Sequence, residues 1–436
     1  VSTDPAVERL RALIRIPTVS RNDPAEEDRG AFERFRGELE RLYPLTHDRL
    51  EREQVDGDSL LYRWAGSGTG RPVVLMAHHD VVPADEPGWR HDPFAAELDG
   101  ARVWGRGALD DKGMLAAILE AIERLLADGF VPARDVYVFS GADEETAGNG
   151  AAAAVQLLAG RGVRPGLVLD EGGAVADDAF PGLRAAVAYV GVAEKGLAGI
   201  RLVVEKPGGH AATPARNGAT TTLARAIVRL ESRPAPARLS APVAAMLRAL
   251  APLAGGVQRR LFSRPGRVMT RILAARGGEG EAMVRTTRAV TRLTGSAGDN
   301  VVAERATATV NARIAIGSTV DRALDEVRRA IRDDDVQVRL VTGSGPSPVS
   351  PSEGPEWDLL AGAIRDTFPG ATVAPYVMLQ ASDSRHFTRI SDTVYRFLPF
   401  EIAKAERQTL HAIDESIGVS NWLRGIEFFR TLLARL

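Results

Sequence analysis

The sequence predicts an α/β protein whose helix-covered sheet is interrupted by a smaller α+β insertion. Three observations point there. Strand and helix signals alternate through about the first 190 residues, the pattern of a sheet covered on both faces. Near Ala193 the pattern changes to half-exposed alternating strands with two amphipathic helices among them. After residues 344–355, rich in Ser, Pro and Gly, helix and strand signals return and run to Leu436.

Taken in order, residues 7–16 read as an N-capped amphipathic helix and residues 31–42 as a second. Residues 71–77, RPVVLMA, are a short apolar run of the kind a doubly buried strand shows. A Gly-rich turn leads into a helix over 114–126. VYVFS at 136–140 is another buried strand, with a helix after it at 150–158, and LVL at 167–169 is a further short strand. Residues 195–205 alternate like a half-exposed strand and lead through a Pro-Gly-Gly-His turn to a helix over 219–230. Residues 307–316 and 336–341 alternate again, on either side of an amphipathic helix over 320–331.

Composition bounds the function. With 436 residues the chain is long enough for two domains, and 44% apolar residues supply their cores. Lys and Arg number 55 and Asp and Glu 57, a balance of −2 that gives no general pull toward nucleic acid or anionic membranes. There is no cysteine, so any metal must be held by His, Asp and Glu. The same lack fits a reducing, cytoplasmic location. The N-terminus shows no basic region followed by an apolar run, and no stretch approaches the ~18 apolar residues of a membrane span.

Four polar clusters sit where apolar strands run out, the place open α/β sheets keep for ligands. The first is His78-His79-Asp80. On an extended chain His78 and Asp80 point one way and His79 the other, so His78 could bind a metal with Asp80 behind it, or the turn could simply be solvated. The second is WGRGALDDKG, where Asp110 and Asp111 could be ligands or the capping charges of the helix that follows. The third is Asp143-Glu144-Glu145, whose mutual repulsion a cation would relieve. The fourth is Asp170-Glu171-Gly172-Gly173, with the same logic; His411 stands far downstream. Imidazole mixed with hard oxygen donors suits zinc, manganese or cobalt.

With MAHHDVVPA, WGRGALDDKG, ADEE, LDEGG, GGHAATP, ASDSRHF and LHAIDE in this order, the chain resembles the aminoacylase and carboxypeptidase family of co-catalytic zinc hydrolases. The DEGG form and the long insert after the GGH turn look most like its Gly-X carboxypeptidase and N-acyl-amino-acid hydrolase branch. The resemblance implies a catalytic domain with a mixed, mostly parallel sheet at 1–193 and 346–436. It also implies an inserted α+β lid and dimerisation domain at 194–345. It implies two divalent ions, most simply zinc, with cobalt or manganese as alternatives. His78 and Glu171 would hold one ion, Glu145 and His411 the other, and Asp110 would bridge them across a cis Asp110–Asp111 peptide. Asp170 is the rival of Glu171. Asp80 would support His78, and Glu144 would be the general base. His210 would reach across a homodimer to the tetrahedral intermediate. Asn300 and Arg313 would contact substrate, Arg313 through its carboxylate, with Arg385 either a second carboxylate partner or structural.

The implied activity is hydrolysis of an amide bond beside a free carboxylate in a small peptide or N-acyl amino acid. A biosynthetic deacylase and a non-catalytic binding protein are the rival readings. No G-x-S-x-G elbow and no cysteine nucleophile are present, which agrees with attack by water. A basic helical insert over about 241–290 stands apart. Its residues 241–278 carry seven arginines and no acidic residue, and it reads as lid surface, or as a cover for substrates with a carboxylate and a fatty acyl chain.

Overall fold

The structure is a computed structural model and describes residues 4–177, 180, 183 and 185–436. The chain divides into two compact units. One comprises Val1–Val192, Val349–Tyr376 and Ser382–Leu436, the other Ala193–Pro348 and Val377–Ala381.

In the first unit the apolar run at 71–77 becomes the strand Gly70–His78. Successive side chains of a strand point to opposite faces. Val73 and Leu75 therefore enter one core and Val74 and Met76 the other. Each such side chain, fully buried, contributes about 1.5–3 kcal/mol. The first core is closed by Pro5–Ile14, Lys112–Ala127, Pro355–Thr367 and Val419–Leu433, through residues such as Leu10, Ile118, Ile364 and Trp422. The second is closed by Gly150–Gly160 through Ala154, Val155 and Leu158.

The eight-stranded sheet has the order Glu51–Val55, Ser59–Trp64, Arg134–Gly141, Gly70–His78, Leu167–Ala176, Val394–Glu401, Val187–Glu194, Thr372–Met378. Its centre is parallel: Gly70–His78 with both neighbours, and Leu167–Ala176 with Val394–Glu401. The flank formed by the first two strands is antiparallel. Parallel strands end at one edge, and the register sets His78 beside Gly141 and Leu75 beside Leu169.

Two expectations are corrected. The strand at 167–169 continues to Ala176, so Asp170 and Glu171 lie within it and not after it. Having left Gly70–His78 at Leu169, it stays paired with Val394–Glu401, where Asp170 faces Arg396 and Gly173 faces Phe397. Gly173 permits this, because a Cβ there would stand 1.9 Å from the Tyr189 carbonyl oxygen. The helical insert also ends sooner than 290. Its last helix is Gly278–Val284, and Thr287–Thr294 is already an edge strand.

The second unit is a four-stranded antiparallel sheet in the order Thr287–Thr294, Arg305–Ile314, Gly196–Glu205, Gln337–Ser344. The alternation seen in sequence puts Ile200, Leu202, Val204, Ala308, Val310 and Ala312 on one face. Helices Ala219–Ser232 and Val320–Ile331 cover that face with Leu223, Leu230, Val327 and Ile331. Helices Ala241–Leu250, Gly256–Ser263, Arg267–Arg276 and Gly278–Val284 form the insert. Among the described residues no helix is long and apolar enough to cross a membrane.

Candidate metal centre

The parallel register gathers the four clusters at one sheet edge. His78 closes its strand, and its Nε2 lies 3.0 Å from Asp110 Oδ1. The other oxygen of that carboxylate, Asp110 Oδ2, lies 3.1 Å from His411 Nε2. One carboxylate therefore faces two imidazoles, one on each oxygen. His411 Nε2 is also 3.1 Å from Glu145 Oε2, and His78 Nε2 is 3.9 Å from Glu171 Oε1. Two triads of possible ligands result, His78 with Asp110 and Glu145, and His78 with Glu144 and Glu171, their donor atoms within 4.8 Å of one another.

Local structure explains each placement. The Gly105–Gly107 turn has φ of +158° and +88°, conformations suited to glycine, and Gly113 packs so closely that a Cβ would lie 2.2 Å from the Ala108 carbonyl oxygen. The turn delivers Asp110 at the start of the Lys112–Ala127 helix, through an Asp110–Asp111 peptide that is cis. Asp80 is fully buried and works from behind. Its carboxylate accepts the backbone N–H groups of Glu144 (3.2 Å) and Glu145 (3.1 Å), and it stands 3.3 Å from His78 Nδ1. His411 has φ +57°, a left-handed turn that aims its ring at Asp110. His79 turns the other way and stacks on Phe35 at 4.9 Å, with Nδ1 2.7 Å from Ser140 Oγ. Burial holds its pKa down to about 3, so it is a neutral core histidine.

The electrostatics call for positive charge. Burial, then the charges of Asp383, Asp80 and Glu145, push the Glu144 carboxyl well above its ordinary range, His78 opposing. Burial and Asp110 do the same to Glu171. Burial also raises Asp110, but hydrogen bonds with His411 and His78 outweigh it and hold that group low. Contacts with Asp110 and Glu145 lift His411 to about 10. The site thus favours bound protons wherever carboxylates crowd, and a divalent cation would satisfy the same demand. Glu145 Oε1 is buried without a hydrogen-bond partner among the described residues, so an oxygen is left for such a cation. The donor set fits a divalent metal. The His411 side chain is 54% exposed against 15% for Asp110, which leaves the cluster open on the His411 side.

Asp170, the rival of Glu171, accepts a hydrogen bond from Ser384 N at 2.9 Å, and neither ligand triad includes it. Arg385 is half-buried in the short helix Ser384–Phe387, and its guanidinium has no hydrogen bond or ion pair among the described residues. In the second unit His210 and Asn300 come together: His210 pairs with Val301 across two short strands, and Ala211 N donates to Asn300 O at 3.0 Å. Both are exposed. Arg313 lies on the central strand Arg305–Ile314, opposite Leu197 and Thr287.

Two residues of the first unit were not singled out from the motifs that contain them. Asp383, in ASDSRHF, is buried with Oδ2 lacking a hydrogen-bond partner, and that oxygen would lie 2.9 Å from a Cβ on Gly141. Glu415, in LHAIDE, is fully buried. Its Oε1 accepts from the backbone N–H groups of Gly107, Leu109 and Asp110, and its Oε2 is 2.8 Å from Arg106 Nη1. Glu415 therefore holds the turn that presents Asp110. The only sequence signal for either is its place within a motif that holds a residue already singled out.

The sequence profile described as peptidase family M20/M25/M40 matches residues 74–435. A probable carboxypeptidase S-like 2 of Dictyostelium discoideum is 33% identical over 98% of this chain and 84% of its own length. An N-fatty-acyl-amino acid synthase/hydrolase of Homo sapiens is 33% identical over 98% and 86%. Among solved structures, an M20 family metallo-carboxypeptidase from Sulfolobus solfataricus superposes with a TM-score of 0.74 at 16% identity, covering 99% of both chains.

Proposed function

The chain belongs to peptidase family M20/M25/M40 and is an amide-bond hydrolase, and from that premise we propose that it cleaves an amide bond next to a free carboxylate. The substrate is a small peptide or an N-acyl amino acid. The observation that carries this reading is the Asp110 carboxylate set between His78 and His411, with Glu145, Glu171 and Glu144 around them.

In this reading His78 and Glu171 would hold one divalent ion and Glu145 and His411 a second, with Asp110 available to both. Zinc is the first choice for imidazole mixed with carboxylate, with cobalt and manganese as alternatives. When bound, the pair supplies Lewis acidity and lowers the pKa of water toward neutrality. Glu144, a carboxylate among these ligands, takes a proton from the attacking water and returns it to the leaving amine. Asp80 positions Glu144 and Glu145 through their backbone N–H groups. Arg313 and Arg385 are the candidates for the substrate carboxylate, which a guanidinium grips with two parallel hydrogen bonds. His210, with Asn300 beside it, is proposed to act in a homodimer on the active site of the second copy. A chain without cysteine is compatible with the cytoplasm, which we propose as its location.

The test is hydrolysis of a panel after loading with zinc, cobalt or manganese. It holds N-acetyl, N-lauroyl and N-benzyloxycarbonyl amino acids, Gly-X dipeptides, and the corresponding carboxyl amides. Cleavage that requires both metal and free carboxylate supports the proposal. Equal cleavage of acids and amides would refute the carboxylate requirement.

A further inference from the structure

The basic insert of the second unit borders an open, solvent-facing cavity of about 950 Å³. Four arginines line it: Arg238, Arg267, Arg271 and Arg285. Only Arg285 has a carboxylate neighbour, Glu281 at 3.0 Å; the other three are exposed and have none within ion-pair distance among the described residues. The surrounding sequence explains this, because nothing acidic lies between Glu231 and Glu279. Such a concentration of unpaired cations in a concave site focuses a positive field on its interior.

Two further features aim at an anion. Helices Ala241–Leu250 and Arg267–Arg276 both begin at the cavity, behind Ser240 and Gly266, and neither has a side-chain cap. The N–H groups of Ala241 and Val243 in the first helix, where Pro242 has none, and those opening the second, with the positive ends of both dipoles, suit a carboxylate. Ser240 Oγ, at the cavity wall, is buried without a hydrogen-bond partner among the described residues. The rest of the wall is of another kind. Ala241, Ala244 and Ala274 offer small apolar surfaces, which leave a slot for a hydrocarbon body. A compact anion would use the arginines and leave that slot wet. A flexible polyanion would gain nothing from it.

We propose that this cavity binds a long-chain carboxylate, with its head among the arginines and its chain along the alanine wall. None of its residues belongs to the metal cluster, so this is a second ligand site, independent of the hydrolytic reading. The test is isothermal titration of the metal-loaded full chain with laurate and with acetate. It compares the wild type with the double variant Arg267→Glu/Arg271→Glu and with Ala274→Trp, which fills the slot. Laurate is expected to bind where acetate at equal concentration does not. Each variant is expected to weaken laurate about tenfold or more, since paired guanidinium–carboxylate contacts and buried chain both contribute. Turnover of an N-acetyl amino acid is expected to be unchanged in both. Laurate and acetate binding alike, or laurate affinity unaltered in both variants, would overturn the proposal. The turnover readout reports separately on the hydrolase reading.

Discussion

At the scale of single residues, the site is built on one carboxylate meeting two imidazoles, and in the proposed reaction a second carboxylate, Glu144, moves the proton. Replacing Glu144 with Gln keeps the side-chain shape but removes the base. Turnover should fall by about three orders of magnitude, the middle of the usual range for a positioned acid–base group, while metal content per chain stays that of the wild type. Elemental analysis of the variant beside its kinetics checks this, and lost metal would place Glu144 among the ligands instead. Glu415 acts through another residue. Its carboxylate anchors three backbone N–H groups and the buried Arg106. Glu415→Gln leaves Arg106 buried without its counter-charge, a loss of about 3–5 kcal/mol. Denaturant unfolding measures that loss. Because the neutral amide oxygen holds Asp110 N more weakly than the carboxylate, metal affinity should fall too, whereas a purely structural role would leave metal affinity in the folded variant unaltered.

At the scale of elements, the strand Leu167–Ala176 shows how the sheet shapes the site. Its first residues are ordinary buried Leu and Val, and its continuation past Asp170 depends on Gly173 lying against the Tyr189 carbonyl. Gly173→Ala forces backbone apart, because the clash is with a carbonyl and not with a flexible side-chain tip. The expected cost is about 3 kcal/mol, at the severe end of overpacking. It should come with weakened metal binding, since Glu171 lies two residues earlier on the same strand. A variant as stable as the wild type would show that the strand can shift to make room. The insert shows the opposite case. Its helices pack through Val243, Met246, Leu247, Phe262 and Leu273 and keep Arg259, Arg260, Arg264, Arg267 and Arg271 exposed. In the sequence only VMTRILAA, residues 268–275, carries helical apolar spacing there, and the insert stops short of 290 because TRAVTRLT is an exposed edge strand with little apolar alternation.

At the scale of the whole molecule, cation binding and folding are coupled wherever carboxylates crowd. A ligand that binds the folded chain alone stabilises it by RT ln(1 + [L]/Kd), about 2.7 kcal/mol at a hundredfold excess over Kd. Chelation is therefore expected to lower the thermal midpoint, and added zinc to restore it together with activity. An unchanged midpoint in chelator would mean that the cluster takes up protons in place of metal at no net cost. The sequence by itself determined the alternating pattern that makes two cores from one strand, the second unit's one-sided sheet, and the run of strand-end clusters. Those follow from periodicity and from chemistry written along the chain. It also placed His78, Asp110, Glu144, Glu145, Glu171 and His411 among the residues to watch. Only the tertiary structure decided that His79 is a core residue, that Glu171 and not Asp170 faces His78, that Asp383 and Glu415 stand behind the cluster, and that four arginines converge on one cavity. Those outcomes depend on parallel register and on close backbone approach between segments up to about three hundred residues apart in sequence, as between Gly107 and Glu415, and no local pattern encodes such distances.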